Sequence, residues 1–91
     1  MNSAYDFKRN AADNLLLLGV EEYGARNYEE SLGYATKALT MFRELMEYNG
    51  VFRSLYLIGT IREAKGSHEE AEKAFAECLT CLLYTSPSPR D

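Results

Sequence analysis

The sequence predicts an all-α fold made of two copies of one helix-turn-helix unit. Three observations carry this. The stretch Leu15-Leu16-Leu17-Leu18-Gly19 recurs forty residues later as Leu55-Tyr56-Leu57-Ile58-Gly59. Each copy is followed by a short polar break, a glutamate pair (Glu29-Glu30, Glu69-Glu70) and an alanine-rich helical pattern ending in Leu39 or Leu79. The composition favours Ala, Leu and Glu, and both prolines lie near the end, so little in the chain opposes helix.

The first helix is predicted from about Ser3 to Ala25. Ser3 followed by Asp6 makes an acceptable start, with the acid near the positive end of the helix dipole. Tyr5, Ala11, Ala12, Leu15, Leu18 and Glu22 keep helical spacing, and residues 1–10 read as an N-terminal extension of this helix. Gly24-Ala25-Arg26-Asn27 breaks it. Asn27 then suits an N-cap, with Glu30 as its reciprocal acid. The second helix is predicted from Tyr28 to about Tyr48, with Leu32, Ala35, Leu39, Phe42 and Met46 in steps of three and four. Asn49-Gly50 is read as its stop, the glycine taking a left-handed position. The third helix starts near Val51, holds Leu55, Ile58, Ile61 and Arg62, and ends at Lys65-Gly66. Ser67-His68-Glu69-Glu70 is a capping box for the fourth helix, which carries Ala71, Ala74, Phe75, Cys78 and Leu79.

A chain of 91 residues makes one small domain. Its net charge of −4 argues against nucleic acid, which needs a basic face. No stretch reaches the ~18 apolar residues of a membrane span. The start of the chain lacks the basic-then-apolar pattern of a signal peptide. The default location is therefore cytoplasmic, with neither nucleic acid nor membrane as a partner.

Catalytic and metal chemistry find little material. Cys78 and Cys81 form a C-x-x-C, which can be a redox or metal half-site. Here it lies at the end of a helical pattern, not at a strand-to-helix junction, and the only histidine is His68. One histidine at a helix start cannot assemble a nucleophile–base set. The adjacent pairs Glu21-Glu22, Glu29-Glu30 and Glu69-Glu70 diverge by about 100° on a helix, and first-turn acids already serve the dipole. Gly19, Gly24 and Gly33 are scattered over two helices and form no phosphate loop. No catalytic residue, metal ligand or cofactor is expected.

From Tyr84 the character changes, with Pro87 and Pro89 closing off helix past Ser86. The run from Cys81 to Asp91 resembles, residue for residue, the translation of a transposase-type sequencing-library adapter. That resemblance implies that residues 81–91 are a non-native, disordered tail, and that Cys81 and the C-x-x-C are not native. It also implies that the natural protein continues past Thr80, which a genomic read beyond that codon checks.

Sliding residues 11–40 over 51–80 pairs Leu15 with Leu55, Leu17 with Leu57, Gly19 with Gly59, Leu39 with Leu79 and Thr40 with Thr80. Leu18/Ile58, Asn14/Ser54, Asn27/Ser67 and Ser31/Ala71 are conservative pairs. A helix pair repeated at fixed spacing marks a helical solenoid. The residues resemble the tetratricopeptide repeat family over about Ala11 to Thr80. Leu15, Leu18 and Gly19, and again Leu55, Ile58 and Gly59, match its first-helix pattern. Tyr28, Ser31, Ala35, Ala38 and Leu39, then Ala71, Phe75, Cys78 and Leu79, match its second. There are departures: Glu22 and Arg62 replace a late first-helix aromatic, the separating proline is absent, and the spacing is forty. The resemblance is therefore to a longer variant, with residues 11–50 as one repeat and 51–80 as a truncated second.

This likeness implies antiparallel pairs stacked into a right-handed α-solenoid, held by repeat-packing residues Leu15, Leu18, Gly19, Ala38, Leu39, Leu55, Ile58, Gly59, Ala71, Phe75 and Cys78. It implies a concave peptide-binding groove lined by Asp13, Leu16, Leu17, Val20, Tyr23 and Gly24, then by Arg53, Tyr56, Leu57, Thr60, Glu63 and Ala64. Leu16 and Val20 stand where a carboxylate clamp would need polar groups. The expected ligand is an amphipathic helix or extended apolar peptide, with Arg53 and Glu63 selecting charge. Equally, Leu16, Leu17, Tyr56 and Leu57 are placed to pack on the N-terminal segment or a neighbouring unit. The expected function is a protein-interaction or scaffold module, the N-terminal part of a larger bacterial signalling or regulatory protein. The alternatives are a regulatory segment of a cyclase- or kinase-type enzyme, and a self-association module using the exposed C-terminal repeat face. Two units fall short of the roughly three a solenoid needs, so marginal stability is expected, with Phe75 and Leu79 exposed.

Overall fold

The computed structural model describes residues 3–85. Four helices follow in order: α1 (Ser3–Gly24), α2 (Tyr28–Leu45), α3 (Tyr48–Ala64) and α4 (His68–Thr85). Each packs on its sequence neighbours, and α1 also meets α3. The arrangement is consistent with a helical repeat. The thinnest dimension is 16 Å, about that of two helix layers. Among the described residues the α4 backbone approaches only α3, although Arg43 of α2 reaches Glu77 of α4 at 3.2 Å.

The three connections are one turn used three times. Arg26, Met46 and Gly66 each have positive φ, at 67°, 58° and 85°, and they lie twenty residues apart. In each, that residue's N–H bonds the carbonyl three back (Tyr23, Arg43, Glu63), and the next N–H reaches five back (Glu22, Phe42, Arg62). This is the Schellman closure, which satisfies carbonyls a helix end would otherwise orphan. Only Gly66 adopts the left-handed backbone without a Cβ penalty. Arg26→Gly and Met46→Gly are each expected to stabilise the chain by about 0.5–1 kcal/mol, read as a higher urea midpoint.

The middle turn corrects the predicted boundary. Asn49 and Gly50 do not stop α2; they lie inside α3, which begins at Tyr48. The left-handed position falls on Met46. Gly50 serves packing instead: a Cβ there would sit 2.2 Å from Phe42 Cδ1, so the ring lies flat on the α3 backbone. The α2/α3 turn therefore lies at Met46–Glu47, ahead of Asn49-Gly50. Asn27 makes no side-chain cap; its amide donates to Glu22 Oε1 at 2.7 Å. Of the predicted disordered tail, residues 81–85 continue α4, because helix needs no proline-free stretch beyond its own last turn and Pro87 lies past it. Residues 86–91 lie outside the described part.

The core gathers Ala12, Leu16, Ala35, Ala38, Leu39, Phe42, Val51, Leu55, Leu57, Ile58, Ile61, Ala74 and Cys78. Helix α3 places Gly50, Val51, Ser54, Leu55, Leu57, Ile58, Gly59 and Ile61 in the buried class. Of the expected packing residues, Ala38, Leu39, Leu55, Ile58, Ala71 and Cys78 are buried, Leu15 is half-buried, and Leu18 is 38 % exposed. Leu18 thus departs from its partner Ile58, which is 5 % exposed. Gly19 admits Leu57, whose Cδ2 would lie 3.2 Å from an added Cβ, and Ser31 Oγ donates to the Gly19 carbonyl at 2.6 Å. Phe75 lies over Gly59 and is half-buried, not exposed; Leu79 is 63 % exposed.

Two groups make stability fall at alkaline pH. Burial, helped by neighbouring Cys81 and Glu77, pushes the Cys78 thiol from 9.0 up to about 11. The Tyr5 hydroxyl donates to the Glu47 carboxylate, which holds its pKa above the ordinary value. Both groups keep their protons more tightly when folded. Their contribution is complete below the unfolded values and is lost as pH rises through the folded ones. The urea midpoint should hold steady near neutrality and decline between about pH 9 and 11, and Tyr5→Phe/Cys78→Ala should flatten that decline.

Candidate functional site: the groove between α1 and α3

Helical steps of three and four put Asp13, Leu16, Leu17, Val20 and Tyr23 on one side of α1. The same steps, forty residues on, put Arg53, Tyr56, Leu57 and Thr60 on one side of α3. The two sides face each other across an open groove of about 660 Å³. All nine of those residues line it, together with Asn14 and Phe52. Glu63, also expected in the groove, does not line it: its Oε2 lies 2.9 Å from His68 Nδ1 at the next turn. Gly24 and Ala64 are exposed helix ends outside the groove.

Floor and walls differ. Leu16 and Leu57 are 5 % and 8 % exposed and form the floor. Leu17, Val20 and Tyr56 stand 56 %, 48 % and 57 % exposed along the walls. The choice between core packing and groove lining thus divides within the leucine run, because successive helical positions turn by about 100°. Tyr56 is braced: its ring stacks on Phe52 with centroids 6.4 Å apart and tilts against Phe75 at 5.7 Å. Tyr23 tilts against Tyr28 at 5.8 Å. These contacts pre-order the aromatic walls, which lowers the entropy lost when a ligand settles on them.

The charged residues of the groove are paired with each other. Arg53 Nη2 lies 3.3 Å from Asp13 Oδ1, and its guanidinium sits 5.7 Å from the Phe42 ring centroid. An exposed pair of this kind adds about 0–1 kcal/mol to stability. Its larger effect is to leave the groove nearly neutral. Arg53 is thus paired inside the groove, and Glu63 lies outside it. Thr60 Oγ1 donates to the Tyr56 carbonyl at 2.8 Å, so its hydroxyl is spent on its own helix. What remains open is aliphatic and aromatic surface.

Sequence reasoning missed Asn14 and Phe52. Phe52 was legible as the residue one helical turn before Tyr56. It also missed a second concavity of about 740 Å³ on the opposite side of α1, bounded by Leu15, Leu32, Thr36, Thr40 and Met41. Elsewhere His68 is exposed at the start of α4. Cys78 and Cys81 each hold Sγ 3.6 Å from a backbone carbonyl of α3, those of Phe52 and Tyr48. Among the described residues no three His, Cys, Asp or Glu converge to hold a metal, and no helix is long and apolar enough to cross a membrane. No protein-family model, characterised protein or solved structure matches the chain significantly.

Proposed function

We propose that the chain is a protein-interaction module of the tetratricopeptide type, whose α1/α3 groove takes the apolar face of a helical peptide. The observation that supports this most is the composition of the groove walls. Leu17, Val20 and Tyr56 are large apolar side chains held in solvent around one concavity, and their only charged companions, Asp13 and Arg53, neutralise each other. An apolar helix face with residues at i, i+3 or i+4 and i+7 matches such a surface. Within a longer signalling or regulatory protein, the module would recruit a partner or restrain an output domain.

The test is a display selection of helical peptides on the 91-residue chain. It is counter-selected on Leu17→Asp/Tyr56→Asp, two exposed changes that leave the core intact. Recovered peptides should carry apolar residues at helical spacing and bind the variant at least about tenfold more weakly. Peptides that bind both proteins equally, or an absence of enrichment, would exclude the groove as the binding surface.

A further inference from the structure

Contacts of α1 with α3 and the turn before it advance in step along both helices: Tyr5 with Glu47, Asp13 with Arg53, Gly19 with Leu57. The two groove walls therefore run in the same direction. They are tied together at one end and untied at the other. Past Gly19 the polar groups of the walls find partners elsewhere. Tyr23 leans on Tyr28 of α2, Thr60 Oγ1 bonds its own helix, and Glu63 turns to His68. Among the described residues Asp13–Arg53 is the one ion pair that joins the walls.

The pair is placed to hold and also to release. Arg53 lies over the Phe42 ring, which is buried against Gly50. The guanidinium thus sits on the packed α2/α3 junction, while Asp13 belongs to the opposite wall. One contact joins them, Nη2 to Oδ1 at 3.3 Å; the tighter bidentate arrangement of arginine on a carboxylate is not used. Both side chains remain nearly half exposed, at 47 % and 43 %. Water and salt compete for such a pair, and parting it costs a ligand no more than about fivefold in affinity. A ligand helix is about 10–12 Å across with its side chains. It reaches the floor of Leu16 and Leu57 only where the walls stand apart, and where Asp13 meets Arg53 they do not.

We infer that Asp13–Arg53 is a clasp that autoinhibits the groove, an inference that rests on the groove being the peptide site. Closed, the clasp bars a ligand helix from that end. Parted, it opens the floor along its whole length. The ligand's differential affinity for the parted state drives the opening.

The probe is a synthetic helical peptide, capped at both ends, with leucines at helical spacing and only uncharged side chains elsewhere. Charge on the ligand then plays no part. Its affinity for the 91-residue chain is read by calorimetric titration at low and high salt. Asp13→Asn and Arg53→Gln each part the clasp, and each should raise affinity about two- to fivefold. The swap Asp13→Arg/Arg53→Asp re-forms the pair and should restore the parent's affinity. High salt should strengthen binding to the parent more than to either single variant. Circular dichroism and urea midpoints check that every variant is folded. Single variants that move affinity in opposite directions would mark direct charge contacts with the ligand and overturn the clasp. So would single variants without effect, while Leu17→Asp/Tyr56→Asp still abolishes binding; the groove would then stand without its clasp. A probe that binds Leu17→Asp/Tyr56→Asp as well as the parent, or binds none of the proteins, would remove the groove and the clasp together.

Discussion

Gly50→Ala is expected to destabilise the fold by about 3 kcal/mol, a large effect for one methyl group. The added carbon would stand 2.2 Å from Cδ1 and 2.3 Å from Cγ of Phe42. That ring is 1 % exposed and is covered on another side by Arg53, so it has nowhere to go. Phe42→Ala should cost about 3–5 kcal/mol by leaving a cavity. The double variant should cost less than the two together, since the new methyl occupies part of the space the ring vacates. Gly59→Ala is the instructive comparison. Its nearest neighbour, Phe75 Cε1, is 2.6 Å away, but it is the far end of a half-buried ring that can swing outward. A smaller loss, about 1 kcal/mol, is expected there. Urea unfolding of the set checks the order; a Gly50→Ala protein within about 0.5 kcal/mol of the parent would refute the packing described for the α2/α3 junction.

Ile61→Ala is the second large effect, expected at about 3 kcal/mol. Ile61 is fully buried on the helix that contacts every other one. Because α3 belongs to the core of both units, its loss should lower the hydrogen-exchange protection of α1 and α2 together with that of α4. Leu79→Ala, at an exposed site of similar chemistry, should change stability by less than about 0.5 kcal/mol. Protection that survives in α1 and α2 while α4 opens would mean that the two units fold independently.

What the sequence conveyed, and what it withheld, divides along physical lines. The helical count, the forty-residue register and the residues flanking the α1/α3 groove follow from periodicity, which packing on a regular helix preserves. The α2/α3 boundary did not follow. A glycine after a long amphipathic stretch reads as a helix stop, because glycine is the usual left-handed residue. Here Met46 takes that conformation and is held by two backbone hydrogen bonds, while Gly50 makes room for Phe42. Whether a glycine relieves backbone strain or accommodates a ring depends on tertiary contact, which spacing does not encode. The charge partners of the groove were not legible for a similar reason. Arg53 and Glu63 were each assigned to a ligand, yet each finds a partner within the chain, Asp13 across the groove and His68 across the turn.

The claim that the α1/α3 groove is the docking surface is tested most directly by nitrogen-15 NMR of the 91-residue chain, titrated with a helical peptide recovered by display. The account predicts amide shift changes confined to the two groove walls, with the largest at Leu17, Val20, Tyr56 and Thr60, and their disappearance in Leu17→Asp/Tyr56→Asp. Shifts centred instead on Leu32, Thr36 and Met41, on the opposite side of α1, would contradict it.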